Sequence, residues 1–184
     1  NLFFAVTMIS ALYAVSGDKK HLKVGIMLGV PTLVASWVVL LLGDVFLSSL
    51  VLVAWIFFDS IIAYDILKHI LEEKEVTLDL IFGAVSVYLL FGIIFGLAYL
   101  FIEQVSPGSF VASQTFNQQG VFQLPELIYY SFVTLATLGF GDILPVSQMA
   151  RSLSIIEAIV GIFYIAVLVG VLVSDFVRQN SHKK

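Results

Sequence analysis

Apolar residues gather into five runs, at 2–15, 22–42, 45–67, 78–102 and 148–176, with polar residues concentrated at the junctions between them. A hydrocarbon core of about 30 Å needs about 20 helical residues at ~1.5 Å each, so every run but the first predicts a full membrane crossing. A shorter run, 124–136, lies inside the long connection between the last two. Its length suits a re-entrant segment, one that enters the membrane and leaves by the same face, better than a crossing. Pro31 predicts a kink in the first long helix, because it removes one backbone hydrogen bond there. The pattern predicts an all-α membrane protein.

Composition sharpens this. The chain has 184 residues, 60% hydrophobic and 12% charged, and a mean hydropathy of +1.05, well above that of a soluble domain. Several runs of spanning length rule out a lone signal peptide as the explanation. The absence of cysteine excludes disulfides, thiolate metal sites and cysteine nucleophiles. The net charge of -4 says less than the placement of the cations. Lys19, Lys20 and Lys23 sit at one junction, Lys68 and Lys74 at a second, and Arg178, Lys183 and Lys184 at the C-terminus, with Arg151 alone on the other side. By the positive-inside rule these three regions face the cytoplasm, and the 103–147 connection is external. Asn1 is then outside, with five crossings and a cytoplasmic C-terminus. The missing initial methionine and the short first run lead us to expect a further helix upstream.

The short run reads as a helix entering from the external face. Pro125 suits a first turn, and Glu126 places negative charge at the positive end of the helix dipole. The carbonyl end then points into the membrane, where it favours a cation. The return segment, Thr137-Leu138-Gly139-Phe140-Gly141-Asp142, cannot face lipid without leaving carbonyls unsatisfied, at several kcal/mol each, so it must line a protected or watery path. Turning successive carbonyls to one side requires backbone angles that L side chains resist, which Gly139 and Gly141 supply. A plain glycine-rich turn between helices is the bland alternative.

This hexamer, preceded by "PELIYYSFVTLA", resembles the selectivity filter of the potassium-channel family, Thr-Val-Gly-Tyr-Gly-Asp. The resemblance covers residues 78–176 and implies two helices flanking a re-entrant pore helix, with 1–77 as a peripheral helical domain and 177–184 as a cytoplasmic tail. It further implies a pore-loop cation channel assembled as a homotetramer, since one chain supplies one strand of a closed ring. Carbonyls of Thr137, Leu138, Gly139 and Phe140, with the Thr137 hydroxyl and the Gly141 turn, would replace the hydration shell of K+, the permeant ion, with no cofactor. Leu138 and Phe140 depart from the usual valine and tyrosine, which puts filter stability in question. Asp142 falls at the outer mouth, where Glu103, Glu126 and Asp142 would concentrate cations. Tyr129 and Tyr130 stand where relatives carry tryptophans, as an aromatic cuff or as ordinary packing residues.

In the last helix, Gly161 lies twenty residues after Gly141, at the spacing of the family's gating hinge; close helix packing is the alternative reading, and the one favoured for Gly170. Ile162, Ile165 or Ala166, and Val169 follow at helical spacing and would line an apolar cavity. Glu157, one turn before Gly161, is an intramembrane acid expected to hydrogen-bond behind the pore helix, bracing it rather than binding ions.

The first half holds no Lys or Arg between Val24 and Leu67, whereas a voltage sensor needs several, each worth about 2.3 kcal/mol per 100 mV. Steep voltage gating is therefore not expected. Asp65 is accounted for by Lys68 and His69. Asp59 is deeper, and a bond to a neighbouring helix, protonation or an effector site would each account for it. The "KHILEEKE" stretch reads as a solvated inner extension of its helix.

No related halves of a transporter are visible, there is one pore loop rather than four, and His21, His69 and His182 all fall at cytoplasmic ends. No enzyme constellation results. The expected function is a potassium-selective channel, with a weakly selective monovalent cation channel as the alternative. It would sit in the lipid of a cell membrane, without nucleic acid, with the compact loops of a prokaryotic channel. A gating ligand or accessory subunit is not legible.

Overall fold

The computed structural model describes residues 19–73, 77–112 and 122–181; the side chains of 19–25, 28, 40, 169 and 171–181 are not described. The expectations for the 2–15 run and Asn1 lie outside the described residues.

Among the described residues, five helices and two short strands follow in order: α1 (Lys19–Leu42), α2 (Val45–Glu72), α3 (Leu78–Val105), β1 (Phe110–Ala112), α4 (Leu124–Leu135), β2 (Ile143–Pro145) and α5 (Gln148–Ser181). Among the described residues, Val45–Glu72, Leu78–Val105 and Gln148–Leu168 are long and apolar enough to cross a membrane, and α1 contributes the shorter apolar stretch Gly29–Val39. α1 continues through Pro31. Helix α5 runs five residues past the apolar run's end at 176.

Local chemistry sets the boundaries. Gly43, at φ +66, reverses the chain between α1 and α2, and the Asp44 carboxylate accepts from Leu47 N at 2.8 Å to start α2. Thr77 starts α3 in the same way, its Oγ1 accepting from Leu80 N at 3.2 Å. At its polar end α2 carries an exposed Lys68–Glu72 pair at 3.8 Å, worth little in water.

Helix α3 is the hub. On one side Trp55, Phe58 and Ile62 of α2 pack against Leu97, with α1 residues Leu33 and Val39 beside them. The Trp55 indole donates to Ser36 Oγ at 2.9 Å, so the large buried ring of α2 also satisfies its polar atom on α1. On another side Leu80, Ala84 and Val87 meet Tyr164 and Leu168 of α5. The Tyr164 hydroxyl donates to Ala84 O at 2.7 Å.

The described residues are mostly helical, as expected of an all-α protein, with one short β pair beside the helices. β1 and β2 form an antiparallel pair, with Phe110 opposite Pro145 and Ala112 opposite Ile143. The chain leaving Gly141 is extended and must pair its backbone groups, and the segment after α3 supplies the partner. Ser109 O extends the pairing by accepting from Val146 N at 2.8 Å. Beneath the pair, Phe110 packs edge-on against Tyr99 and Tyr130 at centroid distances of 5.4 and 5.3 Å.

Candidate functional site

Helix α4 begins where Pro125 and Glu126 predict. Gln123 N donates to Glu126 Oε2 at 3.1 Å, so this acid is committed to capping. Glu103 is also occupied locally, accepting from Gly108 N at 2.8 Å and Phe110 N at 3.2 Å. Glu103 was expected as a cation attractor at an outer mouth, and Glu126 as that or equally as a helix cap; their local bonds give each a structural task.

Two glycines that the sequence reading passed over seat α4 against α3. A Cβ at Gly96 would lie 2.8 Å from Ile128 Cγ1 and 2.9 Å from Ile128 Cα, and one at Gly92 would collide with the Phe132 ring. Their spacing, Gly-Ile-Ile-Phe-Gly, is the small-residue signature of close helix approach in membranes. That signal was present and could have been read.

The end of α4 is a Schellman motif. Thr137 N donates to Thr134 O and Leu138 N to Val133 O, each at 2.9 Å, around a left-handed residue. That residue is Thr137, at φ +58, where such ends ordinarily have glycine. Among the described residues it is the one non-glycine with positive φ. From there the sign alternates: Gly139 is at +58 and Gly141 at +76, while Leu138 and Phe140 are not positive. No atom lies within 4 Å of a Cβ built on either glycine, so within one chain the need for glycine here is conformational rather than steric. Leu138 and Phe140 are more than half exposed in the single chain.

Asp142 closes this segment. Its Oδ2 accepts from the Tyr129 hydroxyl at 2.5 Å and its Oδ1 from Ile143 N at 3.0 Å. Tyr129 thereby links the first half of α4 to the far end of the 137–141 segment. Tyr130 turns the other way, its hydroxyl 2.7 Å from Ser154 Oγ of α5 and its ring against Tyr99.

Behind α4, Glu157 is fully buried. Its Oε2 accepts from the Tyr99 hydroxyl at 2.5 Å, and its Oε1 meets Ser131 Oγ, so one acid joins α3, α4 and α5. One turn further along α5, a Cβ at Gly161 would run into the Leu135 carbonyl. Contacts Glu157–Ser131 and Gly161–Leu135 are thus successive turns of the same α4–α5 seam. Helix α5 passes through Gly161 without a break, so what this structure displays at the expected hinge is a packing demand. Gly170, expected as a packing glycine, has nothing within 4 Å of its added Cβ in one chain.

Ile162, Ile165 and Ala166 are exposed along α5, while the Val169 side chain lies outside the described residues. Asp59 is remote from this constellation, on α2. It is 1% exposed, and among the described residues its Oδ1 accepts no hydrogen bond, so the expected partner on a neighbouring helix is not found there for that oxygen.

The comparisons with known proteins converge on the same region. The family model described as "Ion channel" matches residues 83–178, which spans α3, α4, the 137–141 segment and most of α5. The inward rectifier potassium channel Kirbac3.1 of Paramagnetospirillum magnetotacticum is 31% identical over 100 residues, covering 52% of this chain and 29% of that protein. The potassium voltage-gated channel protein Shal of Drosophila melanogaster is 32% identical over 69 residues, covering 38% of this chain and 12% of that protein. The chain thus spans less than a third of the length of either relative. No solved structure matches at the same stringency. With helices long and apolar enough to cross a membrane, and a family match over more than half its length, this integral membrane protein belongs to the ion channel family.

Proposed function

We propose that the chain is the subunit of a homotetrameric, potassium-selective channel, with residues 78–176 as its pore domain and 1–77 as a peripheral domain. The observation that carries this reading is the alternation of backbone handedness over Thr137, Gly139 and Gly141, directly after α4 ends at Leu135. Such alternation turns successive carbonyls to one side, as a dehydrated cation requires. Carbonyls of Thr137, Leu138, Gly139 and Phe140, with the Thr137 hydroxyl, are the ligands of K+. The left-handed threonine costs about 1–2 kcal/mol relative to glycine, a strain that makes sense where its hydroxyl is needed.

One subunit supplies one strand, and that strand is bare in the single chain. Closing four copies around an axis completes each ring of oxygens and shields Leu138 and Phe140. The Tyr129–Asp142 bond holds the outer end of the filter, and Ile162, Ile165 and Val169 line the cavity below it. Gly161 remains the point at which α5 would bend, and bending there must first release the Leu135 contact. Both potassium-channel relatives support the choice of ion. The lack of Lys and Arg between Val24 and Leu67 supports a channel without steep voltage gating. The cation distribution supports a cytoplasmic C-terminus, with the channel in the cell (plasma) membrane.

Reversal potentials of the purified protein in bilayers, with potassium and sodium gradients opposed, test the proposal. We expect the reversal potential to follow the potassium gradient. A reversal potential midway between the two would instead identify a weakly selective monovalent cation channel.

A further inference from the structure

The hydroxyl of Ser131 has one hydrogen and two oxygen partners. It lies 2.7 Å from Gly92 O of α3 and in hydrogen-bond contact with Glu157 Oε1 of α5. A backbone carbonyl cannot donate. If Ser131 gave its hydrogen to the glutamate, two oxygens would face each other at 2.7 Å across α3 and α4 with nothing between them. If it gives its hydrogen to Gly92 O, the second contact needs a hydrogen from Glu157. The rest of the cluster cannot provide one. Tyr99 directs its hydrogen to Glu157 Oε2, Ser154 donates to Ala150 O at 2.8 Å, and Tyr130 is left to donate to Ser154. With each of these hydroxyl hydrogens committed, the contact between Ser131 and Glu157 Oε1 takes its hydrogen from the carboxyl group.

We propose that Glu157 is a positioning residue that acts as a neutral acid, donating its own proton to Ser131 and so seating the helix that carries the 137–141 segment. This rests on the filter reading above. Among the described residues, the titratable groups that feel its charge are Tyr88 and Tyr99 of α3 and Tyr130 of α4, with no cation among them. A charged carboxylate in this place would lack a compensating partner and would compete with Gly92 O for the one Ser131 hydrogen, leaving one of the two acceptors unserved. The neutral acid satisfies all three helices, which an apolar side chain of the same size would not.

Infrared difference spectroscopy of the full chain in lipid, parent minus Glu157→Gln at neutral pH, tests the protonation directly. The carbonyl stretch of a protonated carboxylic acid should be present in the parent and lost in the variant, with any contribution from Asp59 cancelling. A difference spectrum carrying only the bands of an ionised carboxylate overturns the proposal. Glutamine can donate to Ser131 through its amide and accept from Tyr99 through its carbonyl, so Glu157→Gln should keep the parent's reversal potential. A shift of that potential toward the sodium gradient, in assembled protein, also overturns it. Failure of potassium selectivity in the parent would strike the filter reading instead, and the infrared arm would still decide the protonation state.

Discussion

Gly139→Ala is expected to abolish potassium current while leaving the assembled protein in the membrane. Gly139 sits at φ +58, where an alanine costs about 1–2 kcal/mol, and the proposed tetramer would bear that cost four times around one ring. Within one chain nothing within 4 Å would clash with the new methyl group, so the packing of its helices has no reason to fail. The chain relieves the strain by flipping to negative φ, which turns a carbonyl away from the axis and breaks one layer of the cage. Planar-bilayer recording on material that elutes as the parent oligomer separates the two consequences. Potassium currents of parental size in such material would refute the assignment of residues 137–141 as the filter.

Gly161→Val should have the next largest effect, through packing. The added branched side chain has to displace the Leu135 carbonyl, at the end of the helix that feeds directly into Thr137. Overpacking of this kind costs about 1–3 kcal/mol per site. Thermal unfolding in detergent should therefore fall to a lower temperature, and the fraction of channels that still prefer potassium should drop with it. Were Gly161 important only as a bend, the same substitution would leave the unfolding temperature unchanged and alter only the open probability. The two readings of this glycine thus predict different measurements.

Much of the architecture was legible because a membrane reduces the choices. Backbone groups in hydrocarbon must bond within their own segment, so the apolar runs at 45–67, 78–102 and 148–176 could only be helices, and 124–136 was too short to cross. The ends were less legible, since α2 and α5 continue as polar helix beyond the apolar runs that reveal them. The β1–β2 pair was missed because three-residue strands carry no periodic signal. Its partners come from opposite ends of the long connection. Thr137 was singled out for its hydroxyl, but its left-handed backbone was not anticipated, because threonine gives no hint of positive φ.

By itself, the sequence determined that the chain crosses a membrane, and that residues 137–141 form a glycine-punctuated return from a short helix. Composition and local backbone chemistry suffice for both. Only the tertiary structure decided which groups stand behind that return. Glu157 meets Ser131 and Tyr99, Gly161 meets Leu135, and Tyr129 meets Asp142. These partners lie between 13 and 58 residues apart along the chain. No local rule of spacing brings them together; they meet because Gly92 and Gly96 let α4 sink against α3, which fixes where α5 must lie.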